Sequence, residues 1–123
     1  MAENTIKVLL VDDEQGYINI LTKRMAKRNI YATCAYNGSE GIQILRKQDF
    51  DVAVLDLKMQ DMDGLEVLKV FKMMAPKMPI IMLTGHGSES AAREAVKMGA
   101  FDYLTKPCNL SHLIEKITLA LKK

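Results

Sequence analysis

Cysteine is scarce in this chain. The 123 residues hold two, Cys34 and Cys108, far apart and in no CxxC pair. That gives neither a disulfide framework nor a thiolate zinc site to read, and a reduced, cytoplasmic protein is the expectation. Long apolar runs are missing too. No stretch approaches the ~20 residues of a membrane-spanning helix, and the start "MAENTIKVLLVDDE" lacks the basic end and apolar centre of a signal peptide. No internal repeat, low-complexity tract or linker interrupts the chain. An excess of one charge is also lacking, since 17 Lys and Arg against 15 Asp and Glu leave a formal net charge of +2. The basic cluster Lys23, Arg24, Lys27 and Arg28 falls where a first helix should end, and helix C-termini favour cations. No aromatics interleave with it, so direct nucleic-acid binding is not expected.

What is present reads as a globular fold, with 49% hydrophobic and 26% charged residues. One domain, residues 1–123, is expected, burying roughly two-thirds of its unfolded surface. Short apolar runs recur at Lys7–Val11, Tyr31–Ala35, Val52–Leu55, Pro79–Leu83 and Asp102–Leu104. Most have the aliphatic character of strands buried on both faces. "YATCA" is more mixed and suits an edge, and the fifth run is recognisable only from the rhythm of the others.

Helical patterns lie between these runs. Ile18, Leu21 and Met25 mark a first helix over about 14–28. Asn37-Gly38 reads as a turn, with Ser39 capping a second helix that runs to about Lys47. A third spans about 64–74, with Leu65, Leu68, Val70 and Phe71 as candidates for its inner face, and stops before Pro76. Ser88 is positioned to cap a fourth, in which Ala92, Ala95, Val96 and Gly99 share a face. Asn109 is positioned to cap a fifth, with its stripe of Leu110, Leu113, Ile114, Ile117 and Leu121. Five strand–helix units in this order imply an α/β fold, a doubly wound parallel sheet with helices on both faces.

The stretch "DVAVLDLKMQDMDG" carries an apolar run straight into carboxylates. In a doubly wound sheet, ligands bind outside the carboxyl ends of the strands. Asp12 and Asp13 follow the first strand, Asp56 ends the third, Thr84 follows the fourth and Lys106 the fifth, so all are expected on one edge. If the first and third strands are neighbours, three carboxylates converge and repel. A hard divalent cation with oxygen ligands, Mg²⁺ above all, would relieve that repulsion. Lys106 and Thr84 add an ammonium and a hydroxyl, completing the parts for phosphoryl transfer onto Asp56 as nucleophile. Taken singly, each of these residues has an ordinary use: Asp12-Asp13 as a helix cap, Thr84 as a strand-end hydroxyl, Lys106 at the surface. Their common edge favours the chemical reading.

"VLLVDDE", "VAVLDLKMQDMDG", "IIMLTGHGS" and "GAFDYLTKP", in this order and spacing, resemble the receiver domains of two-component response regulators across essentially the whole chain. The resemblance implies a flavodoxin-like fold with strand order 2-1-3-4-5. It implies that Asp56 is phosphorylated, that Asp13, Asp56 and the backbone carbonyl of Lys58 hold Mg²⁺, and that Asp12 assists through water. It further implies Thr84 as the switch hydroxyl, Lys106 as the phosphoryl-binding lysine and Tyr103 as an aromatic that turns inward on activation. The Lys106-Pro107 bond is expected to be cis. Lys58 and His86 would modulate the lifetime of the phosphorylated state. Implied partners are a sensor histidine kinase or histidine phosphotransfer protein, an output domain or protein beyond the fifth helix, and a phosphorylation-dependent second copy. No membrane and no nucleic acid are expected as partners. Gln60 departs from a position where proline is common and Cys108 from one where phenylalanine is frequent, which affects loop shape and partner surface.

A rival reading is a Mg²⁺-dependent phosphohydrolase with an aspartyl intermediate. Many such enzymes carry a general-acid aspartate two residues after the nucleophile. That position is Lys58 here, and no cap domain is present to enclose a substrate. The signalling module is the expected function, standing alone or excised from a larger regulator or hybrid kinase.

Overall fold

The computed structural model describes residues 5–85 and 87–122. Short aliphatic runs form β1 (Ile6–Val11), β2 (Ile30–Ala35), β3 (Val52–Asp56), β4 (Ile80–Thr84) and β5 (Asp102–Thr105). They alternate with α1 (Gln15–Ala26), α2 (Gly38–Lys47), α3 (Gly64–Met74), α4 (Glu89–Lys97) and α5 (Leu110–Leu121). Every strand pair is parallel and the order is β2-β1-β3-β4-β5. β1 reaches sideways to β2, and the chain then crosses back over β1 to β3. This reversal opens a crevice between the ends of β1 and β3.

The period of two along each strand divides the core. Leu9, Val11, Ala53, Leu55, Ile80 and Met82 face Leu45 of α2, Val67, Leu68 and Phe71 of α3 and Ala95 of α4. Val8, Leu10, Val52, Val54, Ile81 and Leu83 face Ile18, Leu21 and Met25 of α1 and Leu113 and Ile117 of α5. β3 and β4 are buried along their whole length, as strands covered on both faces must be. β2 and β5 are the edges and carry the half-exposed residues. No helix among the described residues is long and apolar enough to cross a membrane.

Local expectations are corrected in three places. Asn37, not Ser39, caps α2, with its side chain accepting from Glu40 N at 2.8 Å. The extended backbone of Asn37 aims its short amide at the first turn, while Ser39 already lies inside the helix. On α3 the inner face is Val67, Leu68 and Phe71, with Leu65 and Val70 only half-buried. On α4 only Ala92 and Ala95 are buried, and Val96 is 38% exposed, because this short helix covers the thin margin of the sheet beside edge strand β5. Gly99 lies past the end of α4 at φ +116, a conformation that ends the helix instead of facing the core. Ser88 stands at the cap position of α4 without a side-chain hydrogen bond.

Gly64 is the glycine on which the loop after β3 depends. A Cβ there would lie 2.5 Å from Leu57 O, 2.6 Å from Asp56 O and 2.7 Å from Leu57 Cα, all backbone atoms that cannot step aside. Gly16, on the exposed side of α1, has nothing within 4 Å of its would-be Cβ. Gly64→Ala should therefore cost roughly 2–4 kcal/mol in urea unfolding, whereas Gly16→Ala should be neutral or stabilise by up to ~1 kcal/mol through helix propensity. Equal effects of the two substitutions would contradict this packing account.

Candidate functional site

Four strands deliver their last residues to one edge of the sheet. Asp12 follows β1 and is held in place by its backbone, with Asp12 N donating to Ala35 O at 3.0 Å. Its Oδ1 accepts Glu14 N at 2.9 Å, which leaves Oδ2 free to turn across the sheet. Asp56 closes β3 and is 5% exposed, while Asp12 is fully buried. Asp13 is half-buried beside them. Carboxylate oxygens of Asp12, Asp13 and Asp56 all lie within 4.8 Å of one another.

One ammonium answers this charge. Lys106 Nζ donates to Asp12 Oδ2 at 2.9 Å, stands 3.6 Å from Asp56 Oδ1, and makes a close ion pair with Glu14. Its backbone is anchored as well, Lys106 N donating to Thr84 O at 2.7 Å at the foot of the site. The ammonium also stands 5.3 Å from the centre of the Tyr17 ring, a cation–π distance. Burial alone would pull the lysine pKa down, but the hydrogen bonds it donates to Glu14 and Asp12 and the charges of Asp12 and Asp56 hold it above its ordinary value.

Asp56 is buried with only long polar contacts. Its pKa is pushed up to about 7, first by burial and then by the charge of Asp12. Lys106, the Lys58 N–H at 3.5 Å and a further repulsion from Asp13 complete the balance, the first two lowering it and the last raising it. Three oxygen donors converging in a half-buried crevice fit a hard divalent cation, which takes carboxylate and water oxygens.

The other expected residues fall around this centre. Thr84 is fully buried at the end of β4, and its hydroxyl donates to Gly85 O at 3.2 Å. Tyr103 is half-buried on β5 and packs against the core face covered by α2, α3 and α4. Lys58 is exposed just after β3. Lys106-Pro107 is cis. His86 lies outside the described residues. Of the departures, Cys108 finds a partner, its Sγ lying 3.2 Å from the Tyr17 hydroxyl.

Two contributors went unread in the sequence. Glu14, third in the acidic run "DDE", joins the lysine cluster, and that run was the available signal. Asp61 reads as a loop residue, yet its carboxylate accepts Gly38 N and Ser39 N, each at 3.0 Å. Those partners are 23 and 22 residues away, so no local pattern marks the contact.

The raised pKa of Asp56 has a consequence for stability. Below the unfolded value of 3.8 both states are protonated. Between 3.8 and about 7 the unfolded chain ionises while the folded one keeps its proton, so stability falls as pH rises through that window and stays lowered above it. Asp56→Asn removes this penalty. In metal-free buffer the variant should be more stable than the parent by roughly 2 kcal/mol at about pH 8, with the gain vanishing near about pH 4. Thermal unfolding across that range is the measurement, and a gain independent of pH would place its cause elsewhere.

Comparison with known proteins agrees with this geometry. Residues 8–118 match the family described as response regulator receiver domain. The transcriptional regulatory protein GlrR of Escherichia coli (strain K12) is 34% identical over 123 residues, which is 100% of this chain and 28% of that protein. A putative NtrX-like response regulator of Rickettsia conorii is 35% identical over 117 residues, 94% of this chain and 25% of that protein. The chain thus spans about a quarter of the length of these curated relatives. Among solved structures, a response regulator receiver domain protein from Clostridium thermocellum superposes with a TM-score of 0.90 at 32% identity, covering 94% of each chain. Strand order, acidic crevice and sequence therefore agree, and the chain belongs to the response regulator receiver domain family of two-component systems.

Proposed function

We propose that residues 1–123 act as one phosphoacceptor domain, in which Asp56 receives a phosphoryl group from a phosphohistidine. The donor is a sensor histidine kinase or a histidine phosphotransfer protein. The observation that carries this reading is the convergence of Asp12, Asp13 and Asp56 within 4.8 Å beside the Lys106 ammonium. An Asp56 oxygen forms the new bond to phosphorus as the P–N bond to the donor imidazole breaks, and the imidazole leaves with a proton. Mg²⁺, held by Asp13, Asp56 and the Lys58 carbonyl with Asp12 assisting through water, would supply charge neutralisation for the phosphoryl oxygens.

The remaining roles belong to the chain. Lys106, now paired with Asp12 and Glu14, turns its ammonium to a phosphoryl oxygen. Thr84 exchanges the Gly85 carbonyl for another. The space it leaves lets Tyr103 turn inward, which alters the surface of α4, β5 and α5. Val96 and Phe101, 38% and 43% exposed on that side, suit an output domain or protein, or a second phosphorylated copy. In the absence of a partner the chain catalyses its own phosphorylation from small donors and its own dephosphorylation. The transcriptional regulators among its relatives favour an output in gene control. The cytoplasm, where kinase and donor reside, is the proposed location.

Incubation with Mg²⁺ and a small phosphodonor, followed by intact mass, tests the core of this reading. One phosphoryl group should add to the parent and none to Asp56→Asn. Asp13→Ala should weaken Mg²⁺ binding while leaving metal-free stability equal or higher, because it relieves repulsion. Phosphorylation of Asp56→Asn at the parent's level would overturn the assignment.

The phosphorylated state yields a further pair of expectations. Thr84→Ala should still take up phosphate but lose most of the chemical-shift change around Tyr103, since the hydroxyl is the link between them. Lys58→Asn should shorten the life of the phosphorylated protein, because the exposed Lys58 flanks the in-line approach of water. Unaltered shift changes in the first variant, or unaltered decay in the second, would remove the role given to that residue.

A further inference from the structure

The loop between β3 and α3 is fastened to a helix that contributes no side chain to the acidic crevice. Asp61 Oδ1 accepts Gly38 N and Oδ2 accepts Ser39 N, each at 3.0 Å. These first-turn N–H groups have no partner within their own helix. The helix's own cap, Asn37, takes a third donor, Glu40 N, at 2.8 Å. Loop and helix also approach closely, for a Cβ on Gly38 would stand 3.1 Å from Met62 Cβ and 2.8 Å from Val67 Cγ2.

From Asp61 the loop is tied back to the site. Lys58 and Asp63 form an antiparallel bridge, and Gly64 N donates to Leu57 O at 2.8 Å. Leu57 N donates to Leu83 O at 2.9 Å, and Lys58 N stands 3.5 Å from Asp56 Oδ1. The loop also borders an open groove of about 400 Å³ that reaches Ala91 on α4. The start of α2 is where its tip finds a firm hold.

We propose that Asp61 is a positioning residue for the metal site, pinning the loop to α2 so that the Lys58 backbone carbonyl is already in place beside Asp56. The proposal rests on the functional reading above, in which that carbonyl is a metal ligand. A ligand supplied by a loop costs ordering entropy when the cation binds unless the loop is held beforehand. Two charge-assisted hydrogen bonds at the positive end of a helix provide that hold. Asp61 does so without touching the cation.

The experiment titrates Mg²⁺ into the full chain, reading the amide shift of Lys58, and measures hydrogen exchange over residues 58–64 without metal. The variants are Asp61→Ala, Asp61→Asn and Asn37→Ala. Asp61→Ala should weaken Mg²⁺ binding roughly tenfold, as loss of an outer partner of a metal ligand does, and should speed exchange in the metal-free loop. Asp61→Asn keeps an acceptor oxygen and should recover part of both. Asn37→Ala removes a cap from the same helix without freeing the loop, so it should lower the melting temperature and leave Mg²⁺ affinity unchanged. The inference is overturned if Asp61→Ala binds Mg²⁺ as tightly as the parent, or if Asn37→Ala weakens binding as much as Asp61→Ala does. A parent chain with no Mg²⁺ response overturns the functional reading and this inference together.

Discussion

A single ammonium group makes the carboxyl edge of this sheet tolerable. Asp12 is fully buried, and Asp13 and Asp56 lie against it. Three unbalanced carboxylates in a poorly solvated crevice would protonate or push the strands apart. Lys106, 2.9 Å from Asp12, supplies the opposing charge. At an effective dielectric near 20 the attraction is on the order of 5 kcal/mol before desolvation, which offsets much of it. Asp56, which Lys106 reaches only at 3.6 Å, keeps a raised pKa because burial and the charge of Asp12 outweigh that attraction.

The fold makes that arrangement possible by bringing distant segments to one edge. Asp12 and Lys106 are 94 residues apart, yet each stands just beyond the end of a parallel strand. The register of β1 on β3 pairs Val11 with Leu55, so the residues that follow, Asp12 and Asp56, emerge side by side. β4 pairs Thr84 with Thr105, and Lys106 N then closes on Thr84 O, which sets the lysine at the level of the acids. Each step is a backbone hydrogen bond within or just past the sheet, so the sheet itself sets where these residues emerge. Asp61 extends the same principle to the loop, using a helix terminus where no strand is available.

Much of this is legible in the sequence, for physical reasons. β3 and β4 along their whole length, and β1 from Val8 onward, are buried on both faces and therefore read as aliphatic runs, and the converging acids follow from parallel strands ending at one edge. β5 lies at an edge, has only half-buried residues, and is visible only through the rhythm of the other four. The cap of α2 is misread by two residues because Asn37 and Ser39 are both good caps, and only the backbone conformation chooses between them. Val96 is misplaced because periodicity gives the direction of a helix face but not its width, which the edge of the sheet cuts short. Glu14 and Asp61 are contacts of tertiary structure, and their partners are set by how strands and helices pack, not by neighbours in the chain.

Two polar side chains beside Asp56, Lys106 and Thr84, are both engaged, each by a partner that a phosphoryl group could replace. Lys106 spends its charge on Asp12 and Glu14, and Thr84 spends its hydroxyl on the Gly85 carbonyl. A phosphoryl group on Asp56 carries more charge than a carboxylate and offers three strong acceptor oxygens. On the proposed reading, activation is therefore an exchange of partners in which few polar groups are left bare at any stage. On that reading, phosphorylation shifts the equilibrium by the difference in its interactions with the two states. The exchange also has a direction. Lys106 and Thr84 are joined through Lys106 N and Thr84 O at 2.7 Å, so a shift in either is felt at the β4–β5 junction. Tyr103 pairs there with Met82, one strand in from the edge. On the same reading, the strand that would transmit the change is the short outer strand β5, whose side chains are only half-buried.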